Sequence, residues 1–163
     1  MAPELNIEQI PLSELPAGNS APGAEKALPV VLIVDDERVI ADTLSIILGK
    51  SGFSALTAYD GESALELAKL VPPDLLLSDV MMGPGMDGTR LAVEVVTAFP
   101  DCKVLLFSGH AATRDLLDKA RESGHNFTLL SKPLHPADLL ARIKDSFRDT
   151  RLSAASAQAF ASK

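Results

Sequence analysis

Five short apolar runs recur along the chain: Val30–Val34, Ser54–Ala58, Leu75–Asp79, Lys103–Phe107 and Phe127–Ser131. Val30-Val31-Leu32-Ile33-Val34 and Leu75-Leu76-Leu77 carry no polar alternation, the pattern of strands buried on both faces of a parallel sheet. The Ser54 run is the weakest of the five. The segments between them change to helical spacing. Arg38 to Lys50 puts Val39, Ile40, Thr43, Leu44, Ile47 and Leu48 on one face, and Gly52 follows where a C-cap glycine belongs. Further helices are predicted over Glu62–Leu70, about Asp87–Ala98 (stopped by Pro100), Thr113–Ser123 and about Pro136–Phe147. The last places Leu139, Leu140, Ile143 and Phe147 in register, and Pro136 suits its first turn. Strands alternating with helices imply right-handed βαβ units and one parallel sheet covered on both sides.

The pattern occupies Val30 to about Phe147 and leaves no room for a second domain. Residues 1–28 carry Pro3, Pro11, Pro16 and Pro22, which break regular elements, and are expected to form a flexible Pro/Ala-rich extension. The domain is expected over residues 29–150. Residues 151–163, rich in Ala and Ser, are expected to be a disordered tail.

Composition removes several classes. No run approaches the 18 or more apolar residues of a membrane span, and the N-terminus, Met1-Ala2-Pro3-Glu4, does not look like a signal peptide. Cys102 is the only cysteine, which excludes an intramolecular disulfide and suits a reducing, cytoplasmic setting. A net charge of −7 argues against direct nucleic-acid binding, which calls for a basic face.

What stands at the strand ends changes the picture most. The first run ends in Asp35-Asp36, the third in Asp79, the fourth in Ser108 and the fifth in Lys132. In a doubly wound sheet these ends share one rim, the place where ligands bind. Carboxylates about 4 Å apart repel by roughly 4 kcal/mol at an effective dielectric near 20, so the cluster calls for a cation. Hard oxygen ligands, too few for a full cage, suit Mg²⁺ with waters completing its shell. Such a rim supports attack of a carboxylate on phosphorus, because phosphoryl transfer is mostly positioning and charge neutralisation.

The ordered set Asp35-Asp36, Asp79, Ser108-Gly109 and Lys132-Pro133 resembles the CheY-like response-regulator receiver domain of two-component signalling. The resemblance covers about three-quarters of the chain. It implies a flavodoxin-like, doubly wound (βα)5 α/β fold, with a five-stranded parallel sheet in the order 2-1-3-4-5. It implies that Asp79 is the phosphoacceptor and that Asp36, Asp79 and the backbone carbonyl of Met81 hold Mg²⁺, with Asp35 acting through water. Ser108 and Lys132 would contact the phosphoryl group, and the Lys132–Pro133 bond would be cis. The phosphodonor would be a histidine kinase or phosphotransfer protein. Output from a stand-alone receiver would pass through phosphorylation-dependent protein contact or onward phosphotransfer, using a face that includes Arg114, Leu117, Arg121, Leu129, Asp138 and Arg142. Two departures stand out. The loop Met82-Gly83-Pro84-Gly85-Met86-Asp87-Gly88 is one residue longer than usual and has two extra glycines. Three residues before Lys132, where an aromatic often serves as a switch, stands Leu129, and the nearby aromatic is Phe127.

Other assignments compete. Asp35-Asp36 could simply start a helix, and Ser108 could be a turn residue. His110, His125 and His135 lack metal-ligand spacing. Met81, Met82 and Met86 suit loop packing, and Cys102 an inert thiol. The altered loop and Leu129 also suit an adaptor that binds proteins without phosphorylation. A flavin protein would want a Ser/Thr-rich loop after the first strand, where Asp35-Asp36-Glu37 would repel phosphate. An aspartate-based phosphatase would want a second Asp two residues after its first-strand nucleophile, where Glu37 stands.

Overall fold

The computed structural model describes residues 27–109 and 113–161. His110 and most of the expected N-terminal extension lie outside the described residues. The elements alternate without exception: β1 Val30–Val34, α1 Arg38–Lys50, β2 Ser54–Ala58, α2 Gly61–Leu70, β3 Leu75–Asp79, α3 Gly88–Ala98, β4 Lys103–Ser108, α4 Thr113–Glu122, β5 Thr128–Ser131 and α5 Pro136–Ala161. The five strands form one parallel sheet in the order β2-β1-β3-β4-β5, the doubly wound arrangement expected. The Lys132–Pro133 bond is cis.

Because neighbouring strand residues point to opposite faces, each strand feeds two cores. Leu32, Val34, Leu76 and Leu106 meet α2 and α3 residues such as Ala64, Ala68, Leu91 and Val95 on one face. Val31, Ile33, Leu75, Leu77, Leu105 and Phe107 meet Ala41, Leu48, Leu139 and Ile143 of α1 and α5 on the other. β3 is buried at all five positions, which explains its uninterrupted apolar run. Gly52 takes a φ of +93° just past α1, a conformation that favours glycine.

Two helices differ from the sequence expectation. On α1, Val39 is 79% exposed and Thr43 also faces outward, while Ala41 and Leu48 are buried. Ile40, Leu44, Ile47 and Leu48 lie on the inner side as expected; the edge of the face differs, because the outward Val39 is apolar and a small inward residue such as Ala41 scores weakly as core. The helix α5 continues to Ala161, so residues 151–161, expected as a disordered tail, are helical. No proline or glycine follows Pro136, and alanine is the strongest helix former.

Leu76, fully buried in β3, and Val39, exposed on α1, should separate cleanly in urea denaturation. Leu76→Ala should cost roughly 2–5 kcal/mol, and Val39→Ala should stay within about 0.5 kcal/mol.

Candidate functional site

Strand register determines which side chains meet. Val34 of β1 pairs with Ser78 of β3, Asp79 with Phe107 of β4, and Ser108 with Ser131 of β5. Asp35, Asp79, Ser108 and Lys132 therefore leave four adjacent strands at nearly the same level. Strands lie about 4.8 Å apart, so β5 is roughly 10 Å from β3. A long side chain is needed to cross β4, and Lys132 has one. Its Nζ donates to Asp79 Oδ2 at 3.1 Å and reaches Asp35 Oδ2 at 3.5 Å. On the way it lies over the Phe107 ring, 4.8 Å from the centroid, where the face of an aromatic attracts a cation.

Asp35 is fully buried, Asp79 nearly so, and Asp36 is exposed. One oxygen from each lies within 4.8 Å of the other two, so the trio could hold a metal ion reached from the Asp36 side. The pair stands just ahead of the α1 N-cap. Glu37 is the N-cap of α1 and makes no side-chain cap bond, while Asp35 Oδ1 accepts from the Glu37 N–H at 2.9 Å. Met81 lies against the cluster, its N–H donating to Asp79 Oδ1 at 3.3 Å.

The longer loop is tied at both ends. The N–H of the glycine Gly83 donates to Asp36 Oδ2 at 3.2 Å, and the N–H of Met86 donates to Glu62 Oε1 at 2.9 Å. Gly85 has a φ of +109°, and a Cβ there would press on the Glu62 carboxylate. Gly88 starts α3 directly against the backbone of Asp79, where a Cβ would collide with the Asp79 carbonyl oxygen. Sequence alone did not single out Glu62, since an acid in the first turn of a helix is already accounted for by the helix dipole.

Burial raises the Asp79 carboxyl above its ordinary value of 3.8, outweighing the hydrogen bond and charge of Lys132 and the Met81 N–H. Burial does the same to Asp35 against the Glu37 N–H and Lys132. Burial pulls the Lys132 ammonium down, but the hydrogen bond and charge of Asp79, and then Asp35, outweigh it and hold it charged. One cation thus serves two carboxylates that are still short of positive charge. Cys102 is buried, and its thiol is pushed up to about 12, so it is inert as expected.

Ser108 reaches the same rim buried, its Oγ 2.6 Å from Oγ1 of Thr113, the first residue of α4. Thr113 was invisible in the sequence as more than a helix start. Leu129 is partly buried against the core on the α4 side, and Phe127 stacks on His125 at 5.7 Å rather than facing the carboxylates. An open depression of about 480 Å³ lies between β5 and α5, lined in part by Leu129, Asp138 and Arg142 of the expected output face.

A model of the response regulator receiver domain matches residues 31–144. The fold is similar to a CheY-like response regulator receiver domain protein from Methanospirillum hungatei JF-1, at 27% identity and TM-score 0.71, over 78% of this chain and 99% of that one. It is similar to the chemotaxis protein CheY4 of Vibrio cholerae, at 27% identity and TM-score 0.64, over 73% and 98% of the two chains. A two component transcriptional regulator AraC from Clostridium phytofermentans ISDg matches at 30% identity and TM-score 0.64, over 78% and 98%.

A carboxyl whose folded pKa exceeds its unfolded value makes the metal-free protein lose stability as pH rises from 3.8 through the folded value. Asp79→Asn should therefore raise the thermal midpoint in chelator near neutral pH, with the gain shrinking on acidification. Added Mg²⁺ should stabilise the wild type more than the variant. A lower midpoint for Asp79→Asn near neutral pH would contradict this charge balance. Gly88→Ala should destabilise by roughly 1–3 kcal/mol through overpacking against Asp79.

Proposed function

The chain belongs to the response regulator receiver domain family, and on that premise we propose that it is a signalling module that accepts a phosphoryl group on Asp79. The observation that carries this proposal is the Lys132 ammonium at 3.1 Å from Asp79, beside a carboxylate trio. Receiver domains interact with histidine kinases or phosphotransfer proteins, and we assign that donor class to this chain.

In the transfer, an Asp79 oxygen forms a bond to phosphorus as the bond from phosphorus to the donor histidine nitrogen breaks. The electron pair leaves on that nitrogen, which the donor reprotonates. Asp79 is suited to attack because its carboxylate sits at a strand end, backed by the Met81 N–H and steered by Lys132. Lys132 then has a phosphoryl oxygen to neutralise, and the Ser108 hydroxyl supplies a further donor. Asp36 and Asp79 would hold Mg²⁺ directly with the Met81 carbonyl, and Asp35 through water. The ion supplies the positive charge that three carboxylates and a phosphoryl group require. The donor set fits it, being all oxygen, clustered, and open on one side.

The chemistry is self-directed: the chain catalyses at most its own phosphorylation and dephosphorylation and turns over no separate substrate. Output would follow from a population shift that alters a protein contact on the α4–β5–α5 side, or from onward transfer. No helix among the described residues is long and apolar enough to cross a membrane, and the charge of −7 disfavours a nucleic-acid partner. We place the protein in the cytoplasm, where its one buried cysteine and its proposed phosphodonors fit.

Radiolabelled acetyl phosphate with Mg²⁺ should label the wild type and leave Asp79→Asn unlabelled. Lys132→Ala, losing a charge-assisted hydrogen bond worth ~1.5–3 kcal/mol, should slow labelling roughly 10- to 100-fold. Chelator should abolish it. Undiminished labelling of Asp79→Asn, or none of the wild type, would favour the adaptor that works by binding alone.

A further inference from the structure

The aromatic position before Lys132 is filled by Leu129, which leaves open how an event at Asp79 reaches α4. We propose that the Ser108–Thr113 hydroxyl pair is that connection: Thr113 is a positioning residue that latches Ser108, and engagement of Ser108 by a phosphoryl group opens the latch and releases the first turn of α4. The proposal rests on Asp79 being the phosphoacceptor.

Four observations support it. The two oxygens are 2.6 Å apart, a short hydrogen bond between neutral hydroxyls. Both residues are buried, Ser108 at 6% exposure and Thr113 at 1%. Ser108 directly follows Phe107, the register partner of Asp79, so its backbone is at the site. Thr113 opens α4 and is the buried residue of its first turn, ahead of Leu116, Leu117 and Ala120, which seat the rest of the helix on the core.

The energetics set the direction. The 2.6 Å contact permits either hydroxyl as donor; the latch has Ser108 donating to Thr113, so its one hydrogen must leave Thr113 to go elsewhere. A donor to a charged phosphoryl oxygen makes a bond roughly twice as strong as one between neutral groups, so Ser108 turns toward the phosphoryl group. Thr113 then loses its partner where solvent does not reach, which is costly for a buried polar group. The first turn of α4 relieves that cost by moving until the Thr113 hydroxyl meets water. The signal passes through a hydroxyl, with no ring needed.

The test uses the full chain, Mg²⁺ and beryllofluoride, a mimic of the aspartyl phosphoryl group, with amide hydrogen exchange read in the first turn of α4. In the wild type, beryllofluoride should speed exchange there. Thr113→Val should show fast exchange beforehand, no further response, and about three- to ten-fold tighter beryllofluoride binding, because the bond to Thr113 no longer has to be broken. Thr113→Ser, which keeps the hydroxyl, should behave as the wild type. If Thr113→Val does not fold, Ser108→Ala serves instead and should speed α4 exchange without beryllofluoride. Wild-type affinity and a wild-type exchange response in Thr113→Val overturn the latch alone, as does unchanged exchange in Ser108→Ala. A wild type that neither binds beryllofluoride nor takes label from acetyl phosphate overturns the phosphoacceptor assignment as well, and the latch with it.

Discussion

A single ammonium, that of Lys132, is set between two carboxylates from other strands, 3.1 Å from Asp79 and 3.5 Å from Asp35. The rest of the site follows from that imbalance. Both acids are buried, and burial costs them more than one lysine returns, so their carboxyls titrate upward while Lys132 is held charged. A rim in that condition favours whatever brings positive charge. It also keeps a carboxylate oxygen of Asp79 next to a cation, the arrangement on which the proposed phosphoryl transfer rests.

The sheet makes this possible by register. Four neighbouring strands end at nearly one level, so short acids on β1 and β3 stand side by side, and the long lysine on β5 spans β4 to meet them. The apolar side chains beneath hold the strands at that level from both faces. Gly88 lets α3 begin immediately under Asp79, so the backbone of the third strand is clamped where its carboxylate matters. Packing and chemistry are therefore one constraint here, because a shift in any of these strands would separate the charges.

The added loop length does not leave the rim loose. Gly83 gives Asp36 an N–H, and Glu62 takes the N–H of Met86, so the segment after β3 is bound to the acid pair on one side and to α2 on the other. Across the site, Ser108 is bound to the start of α4. The rim thus has hydrogen-bonded connections to α2 and α4, and those connections use backbone amides, a carboxylate and hydroxyls. An aromatic ring takes no part in them: Phe127 is engaged with His125, and Phe107 serves as a platform for Lys132.

Much of this was legible in the chain. The uninterrupted apolar runs at Val30 and Leu75, the helical spacing between them and the glycine after α1 determined an α/β protein with five parallel units, because strands buried on both faces admit few polar residues. The acids, hydroxyl and lysine at the ends of those runs identified the rim, because parallel strands must all end on one side. The edge of the buried face on α1 and the length of α5 were not legible. An inward Ala41 looks no more apolar than an outward Val39, and an Ala/Ser-rich stretch suits either a frayed tail or a helix. Pairings between distant residues were beyond the sequence altogether. Glu62 with Met86, Gly83 with Asp36 and Thr113 with Ser108 involve common residues in ordinary places, and only the folded backbone brings their atoms within hydrogen-bonding distance. Composition and periodicity choose the elements through local preference and burial; the pairings depend on how loops close after the sheet has formed, and only three-dimensional packing decides that.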